Sequence, residues 1–136
     1  MALLKALEQG ALGSTTSLEA LLDALPYNEQ GLIAAIAQDA DTHTVLMLGW
    51  MDRTAIERTL SEHYVCYYSR SRQTYWRKGE SSGHLQRLVD MRFDCDGDAV
   101  LVTVNQTGPA CHTNRRSCFY TALRDGAEVE IMAPMA

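Results

Sequence analysis

GLIAAIAQDADTHTVLMLG, residues 31–49, decides the architecture of this chain. Two apolar runs, Gly31–Ala37 and Thr42–Gly49, flank the polar segment Gln38-Asp39-Ala40-Asp41, which is the pattern of a β-hairpin. Working outward, Asp52 stands as the N-cap of a helix from Arg53 to His63, with Ile56 and Leu60 on one face at i and i+4. Tyr64–Tyr68 returns to a strand pattern. Later, Val89, Met91 and Phe93 alternate with Asp90 and Arg92, as in a strand with one buried face. Ala99–Val104 is almost continuously apolar and is therefore expected at the centre of a sheet. Cys118–Leu123 and Val129–Met132 are weaker strand candidates. The fold class is α+β, strand-rich and mostly antiparallel, with one main helix.

Upstream lies a different kind of segment. Leucines recur at helical spacing through Ser17–Leu25 (SLEALLDAL), behind a serine N-cap and ahead of Pro26. Residues 1–30 therefore form a helical extension, and residues 31–136 the single domain that a chain of 136 residues accommodates. No apolar run reaches membrane-spanning length, and the N-terminal stretch, broken by Glu8, Gly10 and Gly13, makes a poor secretory signal, so the expectation is a cytoplasmic protein.

The net charge of −5 argues against a general nucleic-acid binder. Eight of the twelve basic residues nonetheless gather at Arg70, Arg72, Arg77, Lys78, Arg87, Arg92, Arg115 and Arg116. A locally basic site on an acidic protein suits a small phosphorylated ligand; a solvated arginine-rich surface is the plainer alternative. Residues 69–84 (SRSRQTYWRKGESSGH) are polar and basic with two aromatics, and a polar stretch of that length inside a small domain is usually functional.

Two clusters carry chemistry. In Asp94-Cys95-Asp96-Gly97-Asp98, three carboxylates at i, i+2 and i+4 repel one another unless solvated or bound to a cation. If the backbone stays extended through Asp96, Asp94 and Asp96 point one way and Cys95 the other. An EF-hand loop fails here, because the glycine falls at the fourth position instead of the sixth and Asn105 stands where a bidentate glutamate is required. An Asp-Gly β-turn is the plain alternative. The second cluster, Gly108–Cys118 (GPACHTNRRSC), joins Cys111, Cys118, His112 and two arginines. Cys95, Cys111 and Cys118 together offer three soft ligands, and three protein ligands with an open position is the arrangement of a catalytic zinc. His112 as a fourth ligand would instead give a closed structural site, but its place next to Cys111 favours a proton-transfer role. Cys66, among tyrosines in a strand, reads as a buried hydrophobe, and His43 and His63 as structural. His84, after Ser-Ser-Gly, is a second candidate for the active site.

WRKGESSGH (76–84), DCDGD (94–98) and GPACHTNRRSCFY (108–120) closely resemble the signature segments of phosphoribosyl-AMP cyclohydrolases, in that family's order and approximate spacing. The resemblance runs from about Gly31 to Tyr120. It implies hydrolytic opening of the adenine C6–N1 bond of phosphoribosyl-AMP, the third step of histidine biosynthesis. It further implies a homodimer whose fold is a pseudobarrel completed by the partner. Zinc would be held by Cys95 of one subunit with Cys111 and Cys118 of the other, and magnesium by Asp94, Asp96 and Asp98. In that setting His112 and His84 are the candidate catalytic residues. Trp76 would stack on the base, Arg77, Lys78, Ser81 and Ser82 would hold a phosphate, and Arg115 and Arg116 would add positive charge at the site. The sequence departs modestly from the family pattern at Asp52, where asparagine is commoner, and at Asn114, where glycine is commoner. Two rivals remain. A nucleobase deaminase requires His-x-Glu with Pro-Cys-x-x-Cys, which this chain lacks. A non-catalytic zinc-stapled dimer that binds a nucleotide would require a fourth ligand.

Overall fold

A computed structural model describes residues 2–135. The expected hairpin is present: β1 (Ile33–Asp39) and β2 (Val45–Met51) pair antiparallel, with Ile33 opposite Met51. Strict alternation buries Ile33, Ala35, Ala37 and Asp39 on one face of β1. Asp39 is the odd member of that set. Its carboxylate accepts hydrogen bonds from the backbone N–H of Asp41 at 2.8 Å and of Thr42 at 3.0 Å, and so organises the turn. His43 closes this turn in a left-handed conformation, φ 63°.

The Ala99–Val104 run lies at the heart of β6 (Ala99–Gln106), which sits inside the four-stranded sheet β2-β1-β6-β5, with β5 spanning Gln86–Phe93. The β5–β6 and β1–β2 pairs are antiparallel, whereas β1 and β6 run parallel. A parallel pair needs a crossover. It is supplied by β2, α3 (Arg53–Glu62), β3 (Cys66–Ser69) and β4 (Thr74–Arg77), all of which intervene in the chain. Asp52 caps α3 as expected, accepting from the Ala55 N–H at 2.8 Å, and His63 ends it at φ 65°. The buried Thr59 hydroxyl donates to the Ala55 carbonyl and accepts from the Cys66 N–H at 2.9 Å, so the helix is pinned to β3 through one side chain. Cys66 is buried, as its setting predicts.

Three local readings change. Residues 69–84, read as one polar stretch, contain a strand: Thr74–Arg77 forms β4, paired with β3, because Tyr75 and Trp76 supply the aromatic surface a short strand needs. Alternation in β5 is broken by a bulge between Leu88 and Asp90, which leaves Val89 exposed while Met91 and Phe93 pack on the core. The Asp94–Asp98 segment is not extended. The Gly97 N–H donates to the Asp94 carbonyl at 3.0 Å and the Asp98 N–H to the Asp94 carboxylate at 3.1 Å, which makes it a tight turn between β5 and β6.

The extension forms α1 (Ala2–Glu8) and α2 (Leu18–Ala24), the latter capped by Ser17. Leu22 and Leu25 join the main core, and Arg53 pairs with Asp23. Leu4 of α1 is also buried. It lies over Gly97, where a Cβ would come within 2.6 Å of a Leu4 methyl and 3.2 Å of one from Leu25. With φ at +74° as well, position 97 has two independent reasons to be glycine. At the other end, β7 (Thr121–Arg124) and β8 (Ala127–Glu130) form a small exposed hairpin. The first strand starts later than Cys118, because Cys118 is already bonded to β2. Among the described residues, no helix is long and apolar enough to cross a membrane.

Candidate active site

Residues 108–118 fold back on themselves. The Ala110 N–H donates to the Arg116 carbonyl and the Cys111 N–H to the Arg115 carbonyl, while the Asn114 N–H reaches the Cys111 carbonyl at 3.0 Å. Asn114 sits at φ 66°, a left-handed conformation that asparagine adopts more readily than most side chains. The Ser117 hydroxyl donates to the Val45 carbonyl and the Cys118 N–H to the Leu46 carbonyl, both at 2.7 Å, docking the loop on β2. The backbone of Met135 grips it from the other side: its N–H donates to the Asn114 carbonyl and its carbonyl accepts from the Asn114 side chain, both at 2.7 Å.

This folding brings Cys111 and Cys118 close enough for each to influence the charge of the other. Their electrostatics differ. Burial pushes the Cys111 thiol up, but the Thr113 hydroxyl at 3.0 Å, the Thr113 N–H, Cys118 and the Lys78 ammonium outweigh it, and the net shift is downward. Burial and the neighbouring Cys111 push Cys118 up to about 11. Lys78 follows directly on β4, anchored by its N–H to the Val65 carbonyl at 3.0 Å. Burial pushes its ammonium down, and the two sulfurs oppose that.

A cavity of about 270 Å³ opens beside Cys111, lined also by Lys78, Ser82, His84, His112 and Asn114 among others. Five residues nominated from sequence, on two separate segments, thus share one space. Trp76 adjoins it, its ring stacked near Tyr67 at 5.1 Å and 5.4 Å from the Lys78 ammonium. The other nominees lie elsewhere. Arg77, opposite Cys66 in the β3–β4 register, lines a separate cleft with Arg58, Glu62 and Glu80, and Ser81 is exposed on the following turn. Arg115 covers the Tyr120 ring at 4.0 Å and donates to the Met132 carbonyl at 2.8 Å. Arg116 is committed to the Asp39 carboxylate and to the Gly108 carbonyl. Both arginines hold the loop in shape.

Cys95 is exposed on the β5–β6 turn, in a cleft with Leu4, Leu7, Glu8, Leu21 and Asp94. Among the described residues no three His, Cys, Asp or Glu side chains are gathered to hold a metal. On the same turn, a hydrogen bond shared with Asp94 and repulsion from Asp94 and Asp96 raise the proton affinity of Asp98. Sequence reasoning missed Thr113, although a threonine two residues after a cysteine is suited to donate to its sulfur. It also missed Gln86, whose buried amide accepts from the Tyr67 hydroxyl at 2.7 Å and donates to Gln106 at 2.9 Å.

Residues 47–120, which carry the thiol pair, Lys78 and both candidate histidines, match the sequence profile of phosphoribosyl-AMP cyclohydrolase. The chain belongs to the phosphoribosyl-AMP cyclohydrolase family. Among relatives, a protein named phosphoribosyl-AMP cyclohydrolase 2 from Pseudomonas fluorescens is 60% identical over 129 residues, covering 95% of this chain and 88% of its own. A phosphoribosyl-AMP cyclohydrolase from Ruegeria pomeroyi is 67% identical over 111 residues, 82% of this chain and 93% of its own. One from Alkalilimnicola ehrlichii is 59% identical over 129 residues, 95% and 90% of the two chains. As a member of the cyclohydrolase family the chain is an enzyme, and the matched span begins inside β2 and ends just before β7.

Proposed function

We propose that this chain hydrolyses phosphoribosyl-AMP, opening the adenine ring between C6 and N1 in histidine biosynthesis, as a cytoplasmic homodimer that uses zinc and magnesium. One observation carries the reading: Cys111, biased toward thiolate, borders a cavity with Lys78, His84 and His112, and Cys118 stands near enough to influence its charge, on a chain of this family.

The donor chemistry fits zinc. Cys111 and Cys118 are adjacent soft ligands, and Cys95 is the third candidate. A single chain does not gather the three, which supports Cys95 arriving from a second copy. Zinc so held would keep one coordination position open and supply the Lewis acidity that makes water a nucleophile near neutral pH. The exposed carboxylates Asp94, Asp96 and Asp98 are oxygen donors suited to magnesium, and a cation there relieves the repulsion that raises Asp98.

The chain's own residues do the remaining work. The Lys78 ammonium balances the charge of the sulfurs. As oxygen adds to C6 and the C6–N1 bond breaks, N1 gains a proton. His112, exposed beside Cys111, stands ready to deliver it, with His84 across the same cavity. Trp76 offers a face to the base, and Ser82 and Lys78 offer donors to a phosphate. Residues 1–30 act as an accessory extension to the catalytic domain 31–136.

The test measures zinc per subunit and phosphoribosyl-AMP turnover on the same preparation. The expected result is stoichiometric zinc, and a Cys111→Ala variant that stays folded yet loses turnover. Full activity after rigorous zinc removal would refute the zinc reading, and a metal-replete protein without turnover would refute the activity.

A further inference from the structure

A second cavity, of about 530 Å³, has Trp76 in its wall, the ring that the Lys78 ammonium approaches to 5.4 Å, and has no role in the site described so far. Its walls are aromatic, from Trp50, Tyr67, Tyr68 and Trp76, and its rim carries Ser69, Arg70 and Ser71. Its floor at Gly49 must stay bare, because a Cβ there would come within 2.6 Å of the Tyr67 ring. The Arg70 guanidinium lies over the Trp50 ring, 4.5 Å from its centroid. Among the described residues no carboxylate pairs with Arg70. Stacking on an aromatic face orients the guanidinium plane while leaving its edge N–H groups free for an anion. The Ser69 and Ser71 hydroxyls approach to 3.4 Å beside it, and the Arg72 N–H ties their turn by donating to the Ser69 hydroxyl at 3.2 Å. A planar cationic fork with two hydroxyls at the mouth of an aromatic cavity is chemistry for a phosphorylated sugar.

The proposed substrate carries a phosphoribosyl arm on each of N1 and N9 of the adenine, so it presents two phosphates on opposite sides of the base. Lys78 and Ser82 line one cavity and Arg70 the other. We infer that Arg70, with Ser69 and Ser71, binds the terminal phosphate of one phosphoribosyl arm while the base lies against Trp76. This deepens the proposed function and rests on its substrate.

The chain has two tryptophans, Trp50 and Trp76, and both line this cavity, so intrinsic fluorescence reports on it, and the Arg70 variants separate its signal from that of the neighbouring Lys78 site. Ribose 5-phosphate titrated into the metal-loaded protein is expected to give a saturable fluorescence change, and unphosphorylated ribose none. Arg70→Ala should abolish the response, and Arg70→Lys should restore part of it. With phosphoribosyl-AMP, Arg70→Ala should raise KM by at least about tenfold, with the loss falling on KM rather than kcat, as expected for an anchor remote from the reacting bond. Arg70 is exposed on a turn, and unchanged circular dichroism checks that its variants fold. A wild-type protein silent to ribose 5-phosphate, or an Arg70→Ala variant with wild-type titration and KM, overturns the inference. A protein that binds ribose 5-phosphate through Arg70 but does not turn over phosphoribosyl-AMP overturns the proposed substrate and leaves the phosphate site standing.

Discussion

Gly49→Ala sets two known effects against each other, and the structure decides the sign. In an ordinary strand, replacing glycine with alanine stabilises by about 0.4–1 kcal/mol, because the unfolded chain loses freedom. At position 49 the new Cβ would stand 2.6 Å and 2.9 Å from two carbons of the Tyr67 ring. That ring has little room to retreat. It is fully buried, its hydroxyl is fixed to Gln86 at 2.7 Å, and Trp76 packs against it at 5.1 Å between centroids. Overpacking a rigid core typically costs about 1–3 kcal/mol. The net expectation is about 1–2 kcal/mol of destabilisation. At fixed protein and metal concentration that lowers Tm by roughly 3–8 °C for a domain of this size. Because the displaced ring presses on Trp76, tryptophan emission should shift and KM should rise. Tyr67→Phe frees the ring from Gln86, so the two substitutions should be non-additive in a double-mutant cycle. A Gly49→Ala protein as stable as the parent, or more stable, would refute the idea that this contact is rigid.

Asp39→Asn removes the charge paired with Arg116, and should cost about 2 kcal/mol, less than for a fully buried pair because Arg116 is partly exposed. Burial pushes the Asp39 carboxyl up, but the Thr42 and Asp41 N–H groups and Arg116 more than reverse it, so its folded value lies below the ordinary one. The stability it contributes is therefore present at neutral pH and lost as pH falls through the depressed value. Chemical denaturation should show the gap between the parent and Asp39→Asn closing below about pH 4. Thr113→Val deletes the hydroxyl that donates to Cys111, and zinc affinity measured by chelator competition should fall about 10–100-fold. An unchanged affinity would mean that the threonine only shapes the loop.

What was legible in the sequence followed from local pattern. The β1–β2 hairpin, the Asp52 cap and the apolar β6 are written in neighbouring residues, and the structure has all three. β4 was hidden because four residues inside a polar stretch carry too few apolar positions to show a period. The parallel β1–β6 pairing joins segments more than sixty residues apart, and no local signal encodes it. The same division holds at the site. Two cysteines in one short loop announce themselves as a pair, but the partner of Arg116 lies 77 residues away, at Asp39. The ion pair there makes Arg116 a brace for the loop. Trp50 and Arg70 stayed invisible as a unit, because their stacking depends on β2 and the β3–β4 turn meeting in space.

The outermost parts of the described chain, often the most dispensable in a domain, here serve as clasps. Leu4 seats on the turn that presents Cys95, and Met135 bonds to the loop that presents Cys111 and Cys118. Substitutions at Leu4 or displacement of the Met135 backbone therefore act directly on the two cysteine-bearing loops, although neither residue belongs to them.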